Sequence, residues 1–356
     1  MYRIIQWATG SMGAAIVRGV LDHPDLEMVG AYVYSDSKSG VDVGTLVGRP
    51  AAGVHATNNV EAILAADADV VVHAGRVGPY GSHDEDIIRL LESGKNVISI
   101  NGYTYTEYWN NERSKRLQEA CIKGNSTLCG AGLNPGFIAE QVATLVTGLS
   151  SSVDHVEIVE SADATKLRDP NYLFDALGFG ADPKIRSAND PSWLPVAAFN
   201  GMYEETIGLV AYRLGMTLDR VESDHIVHTA KADIPVYAGI VRAGTVSHTN
   251  WRWHGIVGGK RRLTLSIHWY VDPTNLDEPN PPLWKVNVTG HPGARISINV
   301  EKHPDDRSKM SPEQYAVAAR VINLIPLVVA AKPGLMRLPT TTPFRDDYLT
   351  SGNTQV

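Results

Sequence analysis

The chain has 356 residues, 43% of them apolar, a formal net charge of −7 and two cysteines. That length accommodates two domains with sizeable cores. The apolar share argues against disorder, and the negative balance without a basic cluster argues against a nucleic-acid partner. No apolar run approaches the ~18 residues of a membrane span, and the first strand begins too early to leave room for a signal peptide, so a reduced, cytoplasmic protein is expected.

Residues 2–7 form an apolar run that reads as a buried strand, broken at Ala8-Thr9-Gly10-Ser11-Met12-Gly13. A helix-like stretch over 14–21 follows, then a turn at 22–25 and a second apolar run over 28–34. Strand, glycine turn, helix, strand is the βαβ unit that binds a nicotinamide or flavin nucleotide. A pyrophosphate must approach backbone N–H groups at a helix N-terminus, which presents about half a positive charge. Gly10 and Gly13 leave that approach open, while Ala8 stands where the first glycine is usual. A valine at 13 is expected to add bulk where the pyrophosphate meets the helix.

The polar turn Ser35-Asp36-Ser37-Lys38 follows the second strand. An NAD site usually has an acid ~20 residues beyond the glycines, on the ribose hydroxyls. Asp36 stands one step past that strand end, whereas Ser35, Ser37 and Lys38 suit a 2′-phosphate, so NADP is expected over NAD. A short helix over 58–64, capped by an asparagine, precedes a buried strand over 68–74. Ile87, Ile88, Leu90 and Leu91 share one face of a helix over 84–93, which Gly94 terminates. A strand over 96–100, a helix over 112–123 and a strand over 127–130 complete a doubly wound, mostly parallel sheet.

The pattern changes near residue 150. A strand over 155–160 and later stretches at 224–231, 245–256, 262–270, 284–289 and 294–300 read as a largely antiparallel sheet, with a helix over 202–214. Ser311-Pro312-Glu313 starts a last helix. The expected fold is thus an N-terminal Rossmann-type α/β domain, residues 1–145, and a second α+β domain, 146–308, for substrate binding and dimerisation. Residues 309–356 are expected to return to the nucleotide domain.

Four motifs occur in order: Gly10-Ser11-Met12-Gly13; residues 130–137 with Asn134, Pro135 and Phe137; residues 176–183 with Phe179; and 323–334, with Pro326 and Pro333. With them the chain resembles the dihydrodipicolinate reductase-like group, and within it is most similar to 2,4-diaminopentanoate dehydrogenase and the native amine dehydrogenases. It lacks the His-His-x-x-Lys and Gly-Thr-Gly-Trp-Gly of dihydrodipicolinate reductase itself, and the Glu-Lys-Pro of similar sugar dehydrogenases. The resemblance implies hydride transfer between NAD(P) and an amine or imine carbon in a homodimer, with a small amine or carbonyl compound and ammonia as partners.

Ligands bind beyond the carboxyl ends of parallel strands, which places His73-Ala74-Gly75-Arg76 beside the cofactor. His73 also reads as a strand-end histidine satisfied by a carbonyl, and Arg76 as a surface charge. In the amine dehydrogenases a glutamate of the loop after the fifth strand holds ammonia and the iminium; the resemblance transfers that role to Glu107, with Tyr105 near the substrate. Diaminopentanoate dehydrogenases carry acids closer to the strand end, where this chain has Asn101, Gly102 and Tyr103. Asn134 and Pro135 are expected at the cofactor, and Phe137, Arg168 and Phe179 at the substrate. Trp251, Trp253, Trp269 and Trp284 are expected on an outer sheet face that a partner copy would cover. His225 and His228 would face opposite sides of a strand, so no metal is expected. A carbonyl or imine reductase that does not use ammonia, and a nucleotide sensor without catalysis, remain as alternatives.

Overall fold

In the computed structural model, which describes residues 1–184 and 190–347, the first elements are β1 (Tyr2–Trp7), α1 (Ser11–Leu21), β2 (Leu26–Tyr32), α2 (Val43–Leu46), β3 (Ala56–Thr57), α3 (Val60–Ala65), β4 (Val70–His73), α4 (Asp84–Glu92), β5 (Asn96–Ser99), α5 (Glu112–Gly124) and β6 (Thr127–Gly130). Next come α6 (Thr144–Thr147), β7 (Ser152–Asp163), α7 (Leu194–Arg213), β8 (Arg220–Thr229), β9 (Ile234–Val236), β10 (Gly239–Val241), β11 (Val246–Val257), β12 (Lys260–Tyr270), β13 (Trp284–His291) and β14 (Ala294–Ile298). They are followed by α8 (Pro312–Val329) and β15 (Gly334–Met336).

The described residues divide into two compact units, one of Met1–Arg76, Gly81–Phe137 and Val300–Leu338, the other of Val77–Tyr80, Ile138–Asn299 and residues 339–347. The first holds a seven-stranded sheet in the order β15-β6-β5-β4-β1-β2-β3, with every pair parallel. Period-two alternation sends neighbours to opposite faces. Ile4 packs with Val17, Val20 and Val321, while Ile5 packs with Ile87, Leu90 and Leu117. Strand order reverses at β1, with β2 on one side and β4 on the other, so a crevice opens beyond the carboxyl ends of β1 and β4. Trp7 and His73 are register partners there.

Helix ends follow local chemistry. Asn59 accepts from the Glu61 and Ala62 N–H groups at the start of α3. α5 runs one residue past its expected end, because Asn125 at φ 50° supplies the left-handed cap rather than Gly124. Ser311 and Gln314 form a reciprocal capping box on α8, and Ile322 of α8 lies so close to Gly19 of α1 that a Cβ there would fall within 2.5 Å of it.

The second unit holds a six-stranded sheet in the order β14-β13-β7-β12-β11-β8. It is largely antiparallel, as expected, but β7 and β12 pair in parallel. α7 starts at Leu194 rather than near 202, since Pro195 lies in its first turn, where the missing N–H is harmless. The tryptophans do not form an outer face. Trp251 and Trp253 are 0% exposed, Trp284 3% and Trp269 8%. The Trp253 ring lies tilted 4.4 Å from that of Tyr203 of α7 and donates to Asn200 Oδ1 at 3.1 Å. These rings are covered within the unit and offer no surface to a partner copy, so a homodimer rests on the family resemblance alone.

The expected boundaries also shift. The first unit's run ends at Phe137, because the π-helical turn Ile138–Ala143 packs on α7. Residues 339–347 do not stay with the first unit. Phe344 N donates to Thr147 Oγ1 at 3.1 Å and Asp346 N to the Leu214 carbonyl at 2.7 Å. Positions 348–356 of the expected C-terminal segment lie outside the described residues.

Candidate active site

The turn after β1 is built around close backbone packing. Ala8 takes φ 68°, a conformation that costs an L-residue about 1–2 kcal/mol and explains why glycine is usual there. The buried Gln6 side chain braces it, donating from Nε2 to the Ala8 carbonyl at 3.0 Å. A Cβ on Gly13 would lie 2.0 Å from that carbonyl oxygen, whereas one on Gly10 would meet nothing within 4 Å. This corrects the expectation for Gly13: a valine there would break the turn before it met a ligand. Gly10 is the position that faces open space. No side chain caps the first turn of α1, Ser11 is exposed and Met12 half-buried, and Thr9 Oγ1 is buried without a hydrogen-bond partner among the described residues. An uncapped helix start beside an open glycine fits a phosphate.

At the end of β2, Ser35 Oγ and Ser37 Oγ lie 2.6 Å apart. Lys38 Nζ donates to the Thr9 carbonyl at 3.2 Å, so its ammonium is drawn toward the glycine turn. Asp36 is drawn the other way, accepting from Asn58 Nδ2 at 2.6 Å. From the end of β4, Arg76 places its guanidinium 5.3 Å over the Tyr34 ring, whose hydroxyl accepts from Trp7 Nε1 at 3.2 Å. Arg76 is exposed and leans over the Tyr34 ring. Two cations and two hydroxyls thus gather near one strand end.

His73 is 0% exposed, and its Nδ1 lies 3.2 Å from Ser99 Oγ. Burial, with a smaller contribution from His83, pushes its pKa down to about 3, so the ring is neutral at working pH. Asn101 donates from its backbone to Ser99 Oγ at 3.2 Å and from Nδ2 to the Gly75 carbonyl at 3.2 Å. The ends of β4 and β5 are tied together through neutral groups. Ala74 is buried, and Gly75 admits no side chain, since a Cβ would lie 2.6 Å from His83 Cε1. At the end of β6, a Cβ at Gly130 would fall 2.4 Å from the Tyr103 carbonyl carbon. Asn134 and Pro135 follow on the loop after β6. Phe137 carries the Arg320 guanidinium 4.9 Å above its ring.

Glu107 forms an ion pair. It lies in the 3-10 turn Thr106–Trp109, 3.6 Å from Arg337 Nε, a residue just past the edge strand β15, which β6 separates from β5. Arg337 also sits 5.6 Å over the Tyr105 ring. Tyr103 turns away, donating to Asp84 Oδ1 at 2.8 Å.

In the second unit, Phe179 is 1% exposed, so it is core and not a pocket wall. Arg168 is exposed and stacks 5.1 Å over Tyr237. Sequence reasoning missed several polar groups: Gln6, Ser99 and Asn58, and in the second unit the buried Glu140 and Glu205. Thr206 donates to Glu140 Oε1 at 3.0 Å, and Tyr80 donates to Glu205. Two glutamates buried to 1% and 0% have one legible signal, a carboxylate inside an otherwise apolar helical run. Among the described residues, no group of three histidine, cysteine, aspartate or glutamate side chains could hold a metal, and no helix is long and apolar enough to cross a membrane.

Residues 4–78 match the family model described as dihydrodipicolinate reductase, N-terminus. An amine dehydrogenase of Streptomyces virginiae is 27% identical over 350 residues, covering 94% of each chain. The 2,4-diaminopentanoate dehydrogenase of Acetoanaerobium sticklandii is 22% identical over 250 residues, 69% of this chain and 66% of its own. Among solved structures, an amine dehydrogenase from Mycobacterium smegmatis superposes with a TM-score of 0.78 at 20% identity, covering 97% of both chains. A scyllo-inositol dehydrogenase from Lactobacillus casei, holding NAD(H) and scyllo-inositol, gives 0.56 at 14% identity over 92% of this chain and 89% of its own. The chain is similar to the dihydrodipicolinate reductase-like proteins, and over nearly its whole length to an amine dehydrogenase.

Proposed function

We propose that this protein is an NADP-dependent oxidoreductase of the amine dehydrogenase type, interconverting a small primary amine with a carbonyl compound and ammonia. One observation carries the nucleotide half of that reading: the open Gly10 turn and uncapped α1 lie beyond β1, where the strand order reverses. The similarity to two enzymes acting on amines supports the C–N half.

A bound nicotinamide nucleotide supplies or accepts the hydride. The first turn of α1 meets its pyrophosphate. Ser35, Ser37, Lys38 and Arg76 take the 2′-phosphate and the face of the adenine. Asn134 and Pro135 line the nicotinamide end, and the tied ends of β4 and β5 bring small Ala74 and Gly75 close without a competing charge. In the oxidative direction the ammonium form of the substrate first gives a proton to a base, the carbon of the resulting neutral amine then gives up a hydride, and the iminium so formed takes up water to leave the carbonyl compound and an ammonium ion. A carboxylate offsets the iminium charge and exchanges that proton, and Glu107 is the group proposed for it. Arg337 must then release it.

A second reading is favoured by a specific arrangement: the strand-end position of β5 carries neutral Asn101, and Glu107 is already ion-paired with Arg337. It makes the protein a carbonyl or imine reductase that uses no ammonia. Glu107→Gln separates the two. Amine oxidation followed by NADPH formation should fall about a hundredfold, as loss of one group stabilising a transition-state charge does, while NADPH binding persists. Full amine activity in the variant would remove Glu107 from the reaction. Carbonyl reduction by the native enzyme, with no dependence on ammonia, would favour the second reading.

A further inference from the structure

The two charged side chains of the turn after β2 point to opposite sides of it, and the reason lies in a residue on a different strand. Asn58 follows β3, the edge strand beyond β2 in sheet order. Its amide oxygen accepts from Ser39 Oγ at 3.2 Å, which turns its NH2 group toward Asp36, where Nδ2 donates to Oδ1 at 2.6 Å. The Asn58 backbone N–H donates back to Ser39 Oγ at 3.4 Å. Ser39, Asn58 and Asp36 therefore form a short chain that draws the carboxylate toward the sheet edge. On the other side, Lys38 reaches the Thr9 carbonyl of the glycine turn, beside the paired hydroxyls of Ser35 and Ser37.

An acid in the place of Asp36 is the usual partner of the adenosine ribose hydroxyls in an NAD site, and it repels a 2′-phosphate. We propose that Asn58 determines cofactor choice: by holding Asp36 toward the sheet edge, it withdraws a carboxylate from the ribose and leaves Ser35, Ser37 and Lys38 as the 2′-phosphate seat. The inference rests on the NADP reading above. It makes Asn58 a positioning residue that acts through Asp36. Discrimination of this kind comes from moving a repulsive group as much as from adding attractive ones.

The test is equilibrium titration with NADPH and NADH, read by cofactor fluorescence, on the full-length native protein, Asn58→Ala, Asp36→Asn and the double variant. The native protein should bind NADPH more tightly. Asn58→Ala should shift the ratio of the two dissociation constants toward NADH about five- to tenfold, the range of an exposed charge-assisted hydrogen bond of about 1–1.4 kcal/mol. Asp36→Asn should keep the native preference, and adding it to Asn58→Ala should restore that preference, since the first substitution acts only through the carboxylate. Asn58 is exposed, so the variants fold. A loop merely loosened by Asn58→Ala would weaken both cofactors equally, and an unchanged ratio overturns the role of Asn58 alone. A native protein that binds NADH as tightly as NADPH overturns the phosphate seat and Asn58 together.

Discussion

The two sheets place their polar residues in different ways. In the parallel sheet of the first unit both faces are covered, so Ile4, Ile5, Val70, Val71, Val72, Val97 and Ile98 are all 0% exposed, and polar groups gather at the strand ends: Thr9 after β1, His73 on β4, Ser99 on β5. In the mixed sheet of the second unit they gather on a face. Trp251, Trp253, Leu263, Leu265 and Ile267 lie on the side of α7, while His248, Asn250, Arg252 and His254 alternate with them along β11. His248 Nε2 and His268 Nδ1 lie 3.0 Å apart on that other side. A parallel sheet confines chemistry to one end because helices occupy its faces; in the mixed sheet the polar side chains share one face, with His248, His254, Thr264 and Ser266 buried among them.

The comparison is broken most severely by removing the apolar side of the mixed sheet. Trp253→Ala should cost about 3–5 kcal/mol, as deletion of a buried large aromatic does, and leave the amide of Asn200 without its indole donor. Ile226→Ala, on the opposite face and 40% exposed, should stay within about 0.5 kcal/mol. Urea unfolding followed by tryptophan fluorescence compares them, and similar losses would mean that both faces are covered.

A smaller effect of pH is common to the two sheets. Burial pushes His73 down to about 3 and His248 to about 4. Both rings stay neutral in the fold while their unfolded counterparts protonate near pH 6.5, so the unfolded chain binds more protons below that pH. Stability is therefore complete above about pH 6.5 and declines as the pH falls toward 4, by about 1.4 kcal/mol per pH unit for each ring. Unfolding midpoints between pH 7.5 and 5 should fall along a shallower slope in His73→Gln and His248→Gln than in the native protein. Parallel slopes would contradict the neutral assignment.

What was legible in the sequence follows from how far each constraint reaches. The turn after β1 was, because glycine spacing and a change from period two to helical period lie within a dozen residues; even the unusual Ala8 was visible, though not its φ. The side of the turn to which Lys38 reaches is set by the Thr9 carbonyl, which the spacing of residues 35–38 does not show. The ion pair of Glu107 with Arg337 has no local signature, because its partner is distant in sequence. Alternation identified the tryptophan face but not which side α7 would cover, since either face satisfies the pattern. The parallel pairing of β7 with β12 brings Val156 to Leu263 and has no local signature. Phe179 was misread because a family motif marks a position, and burial depends on the packing around it.

The central claim is that a nicotinamide nucleotide binds beyond the carboxyl ends of β1 and β4, across the glycine turn. Titrating the native protein and Gly10→Leu with NADPH, alongside thermal unfolding of both, tests it most directly. A Cβ at Gly10 meets nothing within 4 Å, so the variant should unfold at the native temperature while losing affinity at least about tenfold, ~1.4 kcal/mol, through obstruction of the phosphate approach. Equal NADPH affinity in the two proteins would contradict the account.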